Sequence, residues 1–140
     1  MNVLHVIFKV AGGEYAMPAS DVLQMESYTG ATLVPGARPF VVGIMQVRGR
    51  VVPVIDLRLR FGLPAVERTV DTRVVVGTFG ERAVALVVDA AREVLKLDEA
   101  QMKPPPEIVS LEARGLVKAV AQLGPRILMV LNFAAVIGEE

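Results

Sequence analysis

One arrangement occurs twice in this chain, and it restricts the fold more than any single motif. "LHVIFKVAGGEYAMP", residues 4–18, reads as strand, turn, strand, with the turn supplied by Gly12-Gly13. Glycine takes positive φ without steric cost, which tight hairpins require. "TRVVVGTFGERAVALVVD", residues 72–89, repeats the pattern, and Gly80-Glu81 stands where Gly13-Glu14 stood. Asp21 is expected to cap a short helical turn, "DVLQM", and Asp89 to open "AAREVL" in the same way. A loop over 28–40, with two Gly and two Pro, leads to "VVGIMQV" and "RVVPVIDLRLRF", a strand pair turning at Gly49. The later counterpart, "LVKAVAQLGPRILMVLNF", turns at Gly124. Arg126 leads its second strand as Arg50 leads the earlier one, and Asn132 takes the place of Asp56. A short C-terminal helix is predicted from about Phe133.

The chain thus reads as two similar halves, roughly 1–66 and 67–140, joined by the polar connector "GLPAVERTVDT". Each half offers four or five short strands. Sheets this small protect their edges best by curling, so two small barrels side by side are expected, with terminal strands free to exchange between them. Valine dominates the apolar residues, and 53% hydrophobic against 21% charged residues suffices for a buried core. Such a body has a groove between lobes and loops at its ends, which suits binding more than chemistry.

The charge balance, 15 basic against 15 acidic residues, gives no net attraction to nucleic acid or to an anionic membrane. The absence of cysteine excludes disulfides and thiolate chemistry. The start, Met1 to His5, lacks a signal-peptide pattern, and no apolar run reaches spanning length, so a cytoplasmic protein with no direct membrane insertion is expected.

Catalytic templates are missing. His5, the one histidine, lies in the first strand, where a structural role is expected. No HExxH, GxxxxGK[ST], GxGxxG or GxSxG occurs. Glu14, Asp21, Glu26, Asp56, Glu67 and Asp71 are scattered without acid/base spacing. No catalytic residue, cofactor site or metal site is expected.

Residues 47–62, "VRGRVVPVIDLRLRFG", carry four arginines, one aspartate and a proline. From Leu57 the sequence alternates. Leu57, Leu59 and Phe61 would face inward on a half-buried strand, while Asp56, Arg58 and Arg60 would form a solvated face. Asp56 could then pair with either arginine. Pro53 cannot donate to a ladder and marks an edge or a bulge. Arg48-Gly49-Arg50 sits at the hairpin turn, with too few basic and aromatic neighbours for nucleic acid.

"FVVGIMQVRGRVVPVIDLRLRFGL" resembles the signature "GVxNLRGxxVPVxDLRxxFGL" of the CheW-like domain family. "FKVAGGEYAMPASDVLQM", "VVVGTFGERAVALVVDAAREVLKL" and "KPPPEI" are similar to three further family motifs, in the correct order, so the likeness covers nearly the whole chain. The resemblance implies a mainly β fold of two tandem SH3-like five-stranded β-barrels with short helical turns. It implies a non-enzymatic chemotaxis adaptor at membrane-associated receptor arrays in the cytoplasm. Its partners would be the regulatory domain of a CheA-type histidine kinase and the cytoplasmic tip of a chemoreceptor (methyl-accepting chemotaxis protein), with other CheW-like copies in rings as a further partner.

By similarity, receptor binding falls to Val22, Gln24, Gly43, Val47, Arg48 and Gly49, and kinase binding to Lys103 and Ile108. Val22 and Val47 would form an apolar wall for a helix, and Arg48 a charge-assisted contact. Gly43 and Gly49 have a competing explanation in backbone geometry. The prolines at 104–106 would stiffen the kinase-facing segment. Gln24 stands where the family commonly has glutamate, "QVRG" replaces "NLRG", and Asn132 replaces a common aspartate. These departures are consistent with a paralogue serving another motility or chemosensory-like pathway, with one partner surface lost. The apolar excess also keeps a small-molecule sensor in view, and an enzyme is the weakest alternative.

Overall fold

The computed structural model of the chain describes residues 2–106 and 115–138, apart from the side chain of Arg92. The strands are β1 (Asn2–Val10), β2 (Gly13–Pro18), β3 (Val22–Ser27), β4 (Val41–Val47), β5 (Arg50–Asp56), β6 (Arg73–Phe79), β7 (Arg82–Val88), β8 (Ala90–Asp98), β9 (Met102–Lys103), β10 (Val117–Leu123) and β11 (Arg126–Leu131). Two single-turn helices, α1 (Leu57–Arg60) and α2 (Phe133–Val136), follow β5 and β11.

The strands form a six-stranded sheet, β8-β1-β2-β11-β10-β9, and a five-stranded sheet, β3-β6-β7-β5-β4. Apart from the two-residue β9, the two orders are the same once β8, β1, β2, β11 and β10 are matched to β3, β6, β7, β5 and β4. Registers match too. Hairpin β4–β5 pairs Val47 with Arg50 and carries a bulge between Val41 and Gly43. Hairpin β10–β11 pairs Leu123 with Arg126 and carries a bulge between Val117 and Ala119. Each sheet takes its central hairpin from the far part of the sequence. β1–β2 sits between β8 and β11, while β6–β7 sits between β3 and β5. One parallel junction in each sheet, β5·β7 and β11·β2, makes this exchange.

Three apolar clusters follow from the period-two alternation. In the five-stranded sheet, Val52, Val54, Val74, Val76 and Ala85 face inward together with Leu23 of β3 and Met45 and Val47 of β4, so the two edge strands share one core. In the six-stranded sheet, Leu95 and Leu97 of β8 share a core with Met102 of β9 and Ala121 of β10. Each sheet is therefore curled around its own interior. The third cluster, centred on Phe8, Met17, Leu86, Leu131 and Phe133, lies between the sheets. Burial of this size explains the apolar excess without a ligand cavity.

The mainly β fold predicted from the sequence forms, with the short C-terminal helix at Phe133. Four local readings are corrected. "DVLQM" is not a capped helix: Asp21 ends a 3-10 turn, Ala19–Asp21, and Val22–Ser27 is a strand paired with β6. "AAREVL" is likewise strand, paired with β1, although Ala, Arg, Glu and Leu are helix formers. In both places a neighbouring strand needs partners for its N–H and C=O groups, which outweighs local propensity. The first hairpin turns at Ala11-Gly12, not Gly12-Gly13: Val10 pairs with Gly13, and Ala11 and Gly12 have φ of 52° and 84°. Finally, 57–61 is not an alternating strand. β5 stops at Asp56, whose carboxylate accepts from the Arg58 backbone N–H and starts α1. Asn132 caps α2 in the same way.

Candidate docking surface

The arginines of 47–62 divide into those used internally and those left for a partner. Arg58 donates to both oxygens of Asp89, at 3.0 and 2.6 Å, a fork-on-carboxylate pair with both side chains mostly covered. Asp89 also accepts from the backbone N–H of Ala11, which holds that residue in its left-handed turn. The Arg58 hydrogen bond holds the Asp89 carboxyl below the usual range, against a smaller opposing effect of burial. Burial pushes Asp56 up, opposed by the backbone N–H groups it accepts from. Arg60 donates to the carbonyls of Val136 and Ala135 at 2.7 and 2.8 Å, satisfying the end of α2, and lies over the Phe40 ring at 4.4 Å. The expected solvated face is therefore wrong for Arg58 and Arg60. Asp56 pairs with neither side chain and serves as a helix cap. The helical turn rotates these groups off the strand alternation and onto neighbouring elements. Phe61 stacks on Tyr15 at 5.0 Å, which anchors α1 against β2.

The Arg48-Gly49 turn faces solvent. Both residues have positive φ, 50° and 78°, the two-residue turn that suits twisted hairpins. Arg48 Nε donates to Gln24 Oε1 at 2.5 Å. Gln24 is on β3 and Arg48 follows β4, the two opposite edges of the five-stranded sheet, so this bond spans the gap between them. A polar groove runs along the gap, lined by Glu26, Thr29, Thr32, Met45 and Gln46.

The residues assigned by resemblance fall into three groups. Gln24, Arg48 and Gly49 come together at the turn, and half-buried Val22 packs at the margin of the core between the sheets. Gly43 and Val47 belong to the interior. Val47 is only 2% exposed, so it packs within the five-stranded sheet and offers no apolar wall. A Cβ on Gly43 would lie 2.2 Å from the Thr32 carbonyl oxygen, and its φ is 150°, so close approach of the Thr32 backbone explains the glycine. Lys103 is exposed on β9, at an edge of the six-stranded sheet, and Ile108 lies outside the described residues. The structure adds Glu26, one of the carboxylates scattered through the sequence. Gln24 Nε2 donates to its Oε2. The i, i+2 spacing on a strand was the available signal, since it puts both side chains on one face.

His5 is buried, with Nδ1 2.9 Å from the Val3 carbonyl oxygen, a structural position. Among the described residues no cluster of His, Asp and Glu could hold a metal ion. No helix among them is long and apolar enough to cross a membrane.

Residues 4–140 match the family model described as a CheW-like domain. The chain is 33% identical to the chemotaxis protein CheW of Bacillus subtilis, over 96% of this chain and 86% of that one. It is 31% identical to CheW of Klebsiella aerogenes, over 96% and 81%. It is also 30% identical to protein FrzA of Myxococcus xanthus, over 91% and 80%. The crystal structure of the scaffolding protein TtCheW from Thermoanaerobacter tengcongensis superposes with a TM-score of 0.87 at 29% identity, covering 94% of this chain and 90% of that one.

Proposed function

The chain belongs to the CheW-like domain family, and from that premise we propose that it is a cytoplasmic coupling protein joining chemoreceptor tips to a CheA-type histidine kinase in a membrane-associated array. It is a chemotaxis-type scaffold and not an enzyme. Its output is association alone. We read it as one domain of two lobes, roughly 1–66 and 67–140 in sequence, with a hairpin exchanged between them.

The observation that carries the receptor assignment is Arg48. It is an exposed cation on a tight turn, beside the gap between β3 and β4, and only its Nε is engaged among the described residues. A receptor tip is a helical hairpin. Its carboxylates can take charge-assisted bonds from the terminal guanidinium nitrogens, while Val22 and Met25 supply apolar contact. Val47 has no part in this contact, and Gly43 acts through backbone shape. For the kinase, Lys103 at the sheet edge supplies the charged contact, and Ile108 is assigned the apolar one.

The test is co-sedimentation of the purified chain with a soluble receptor-tip hairpin and a CheA-type regulatory domain. A ternary complex is expected. Arg48→Glu should remove the receptor from it and leave the kinase bound; unchanged receptor capture would defeat the assignment. A second reading, favoured by the likeness to FrzA, is a paralogue serving another motility pathway. It predicts that the kinase is bound and that receptor tips of a chemotaxis system are refused.

A further inference from the structure

Arg48 is the only non-glycine residue besides Ala11 with positive φ among the described residues. A left-handed backbone is unfavourable for any residue with a Cβ, so each case calls for a compensating contact. Ala11 has one, from Asp89. For Arg48 the contact is a chain of two hydrogen bonds through side chains on β3: Arg48 Nε to Gln24 Oε1, and Gln24 Nε2 to the Glu26 carboxylate.

The order of donors and acceptors matters. An amide has one oxygen and one nitrogen, and they are interchangeable in shape but opposite in hydrogen bonding. Glu26 accepts and cannot donate, so it fixes the amide nitrogen on its own side. The amide oxygen must then face Arg48. Without Glu26 the amide can flip and present N–H groups to a guanidinium, which has no acceptor.

The charge is also separated. Arg48 is held by a neutral group, and the carboxylate lies one residue further away. The corresponding position of the other sheet does the opposite. Glu93 on β8 corresponds to Gln24 on β3, both lying just after the strand's bulge. Glu93 and Glu14 together hold Arg126, with distances of 2.5 and 2.7 Å. That arginine's charge is taken up inside the protein.

We propose that Glu26 and Gln24 are positioning residues that brace Arg48 in its strained turn while leaving its positive charge for a partner's carboxylate. The docking half of this rests on the proposed receptor contact; the brace itself does not. The substitution of a neutral residue at 24 is therefore a specificity device: it selects an acidic contact on the partner.

Two measurements test it separately. The first needs no partner. In 15N spectra of the whole chain, the Arg48 Nε–H signal should exchange with solvent faster in Glu26→Ala than in the parent, with the melting temperature unchanged. An Arg48 signal indifferent to Glu26 overturns the brace. The second uses a soluble receptor-tip hairpin as probe across a salt series. Glu26→Ala should weaken binding about fivefold, the worth of one modest hydrogen bond. Gln24→Glu should weaken it similarly and flatten its salt dependence, because Arg48 is then neutralised internally. Tighter binding by Gln24→Glu, or an unchanged salt slope, overturns the charge argument. Should the parent chain bind no receptor tip while the Arg48 signal still depends on Glu26, the brace stands and the receptor assignment falls.

Discussion

The two sheets close the same gap with different chemistry. In the six-stranded sheet, Arg126 opens β11 and is gripped by Glu14 on β2 and Glu93 on β8. In the five-stranded sheet, Arg50 opens β5 at the equivalent position but, among the described residues, donates only to the Glu81 carbonyl. The carboxylates are missing there: the registers align the turn Gly80-Glu81 with Ala11-Gly12, so Ala83 rather than Glu81 matches Glu14, and Gln24 matches Glu93. The closing contact moves to Arg48 in the turn, where the other hairpin has Gly124 at φ 59°. Duplicated topology thus supports one lobe whose arginine is spent on closure and one whose arginine is held but not neutralised. A fold built twice can keep one copy for stability and adapt the other for binding.

The largest break in this comparison should come at the bulge. Gly43 is backed by the Thr32 carbonyl, whereas the matching residue in the other sheet, Ala119, already carries a Cβ. Gly43→Ala should cost about 3 kcal/mol from overpacking and backbone strain, read by urea denaturation. A loss below about 0.5 kcal/mol, the size of an ordinary surface change, would show that the 31–32 segment yields freely.

Next is Asp89, which holds Arg58 and the Ala11 turn together. Asp89→Ala should lose about 2 kcal/mol, since it leaves a mostly covered guanidinium and a backbone N–H without their acceptor. Equal stability of the variant would mean that water replaces the carboxylate without loss.

Acid should separate the sheets. The Arg126 hydrogen bond holds Glu14 below its ordinary value of 4.5. A depressed carboxyl contributes stability that is present above that value and is lost as pH falls through the lower folded value. The Gln24–Arg48 bond has no titrating acceptor. Hydrogen exchange compared at pH 7 and below pH 4 should therefore show β2 and β11 loosening before β4. Simultaneous loosening would place the acid-sensitive step elsewhere.

The smallest effect is the sharpest. Arg48→Gly puts into this turn the residue that the other hairpin uses. It should change stability by no more than about 1 kcal/mol, relief of the left-handed strain offsetting the lost Gln24 bond, and it should abolish receptor capture. A variant that still binds would show that Arg48 is incidental.

Local chemistry made much of this legible. Glycine turns, period-two apolar runs and the recurrence of Arg50 and Asp56 as Arg126 and Asn132 specify strands, hairpins and a repeat, because each depends on near neighbours in the chain. The family motifs depend on the same short segments. Misreadings fell where distant strands decide. Helix-forming "AAREVL" becomes strand because β1 lies beside it, and Arg58 and Arg60 leave a supposed solvent face because Asp89 and the end of α2 come within reach. Val47, which the family resemblance places in the receptor contact, is buried by strands from the other half of the chain.

The sequence alone determined the mainly β character, the glycine-turned hairpins and their repetition, since backbone preference and side-chain period are properties of a few adjacent residues. Only the tertiary structure decided which charges are consumed and which are left over. Pairing Arg126 with Glu14, Arg58 with Asp89, and Arg48 with a neutral amide involves separations of 112, 31 and 24 residues. No local rule reaches across such distances; the curling of two sheets does.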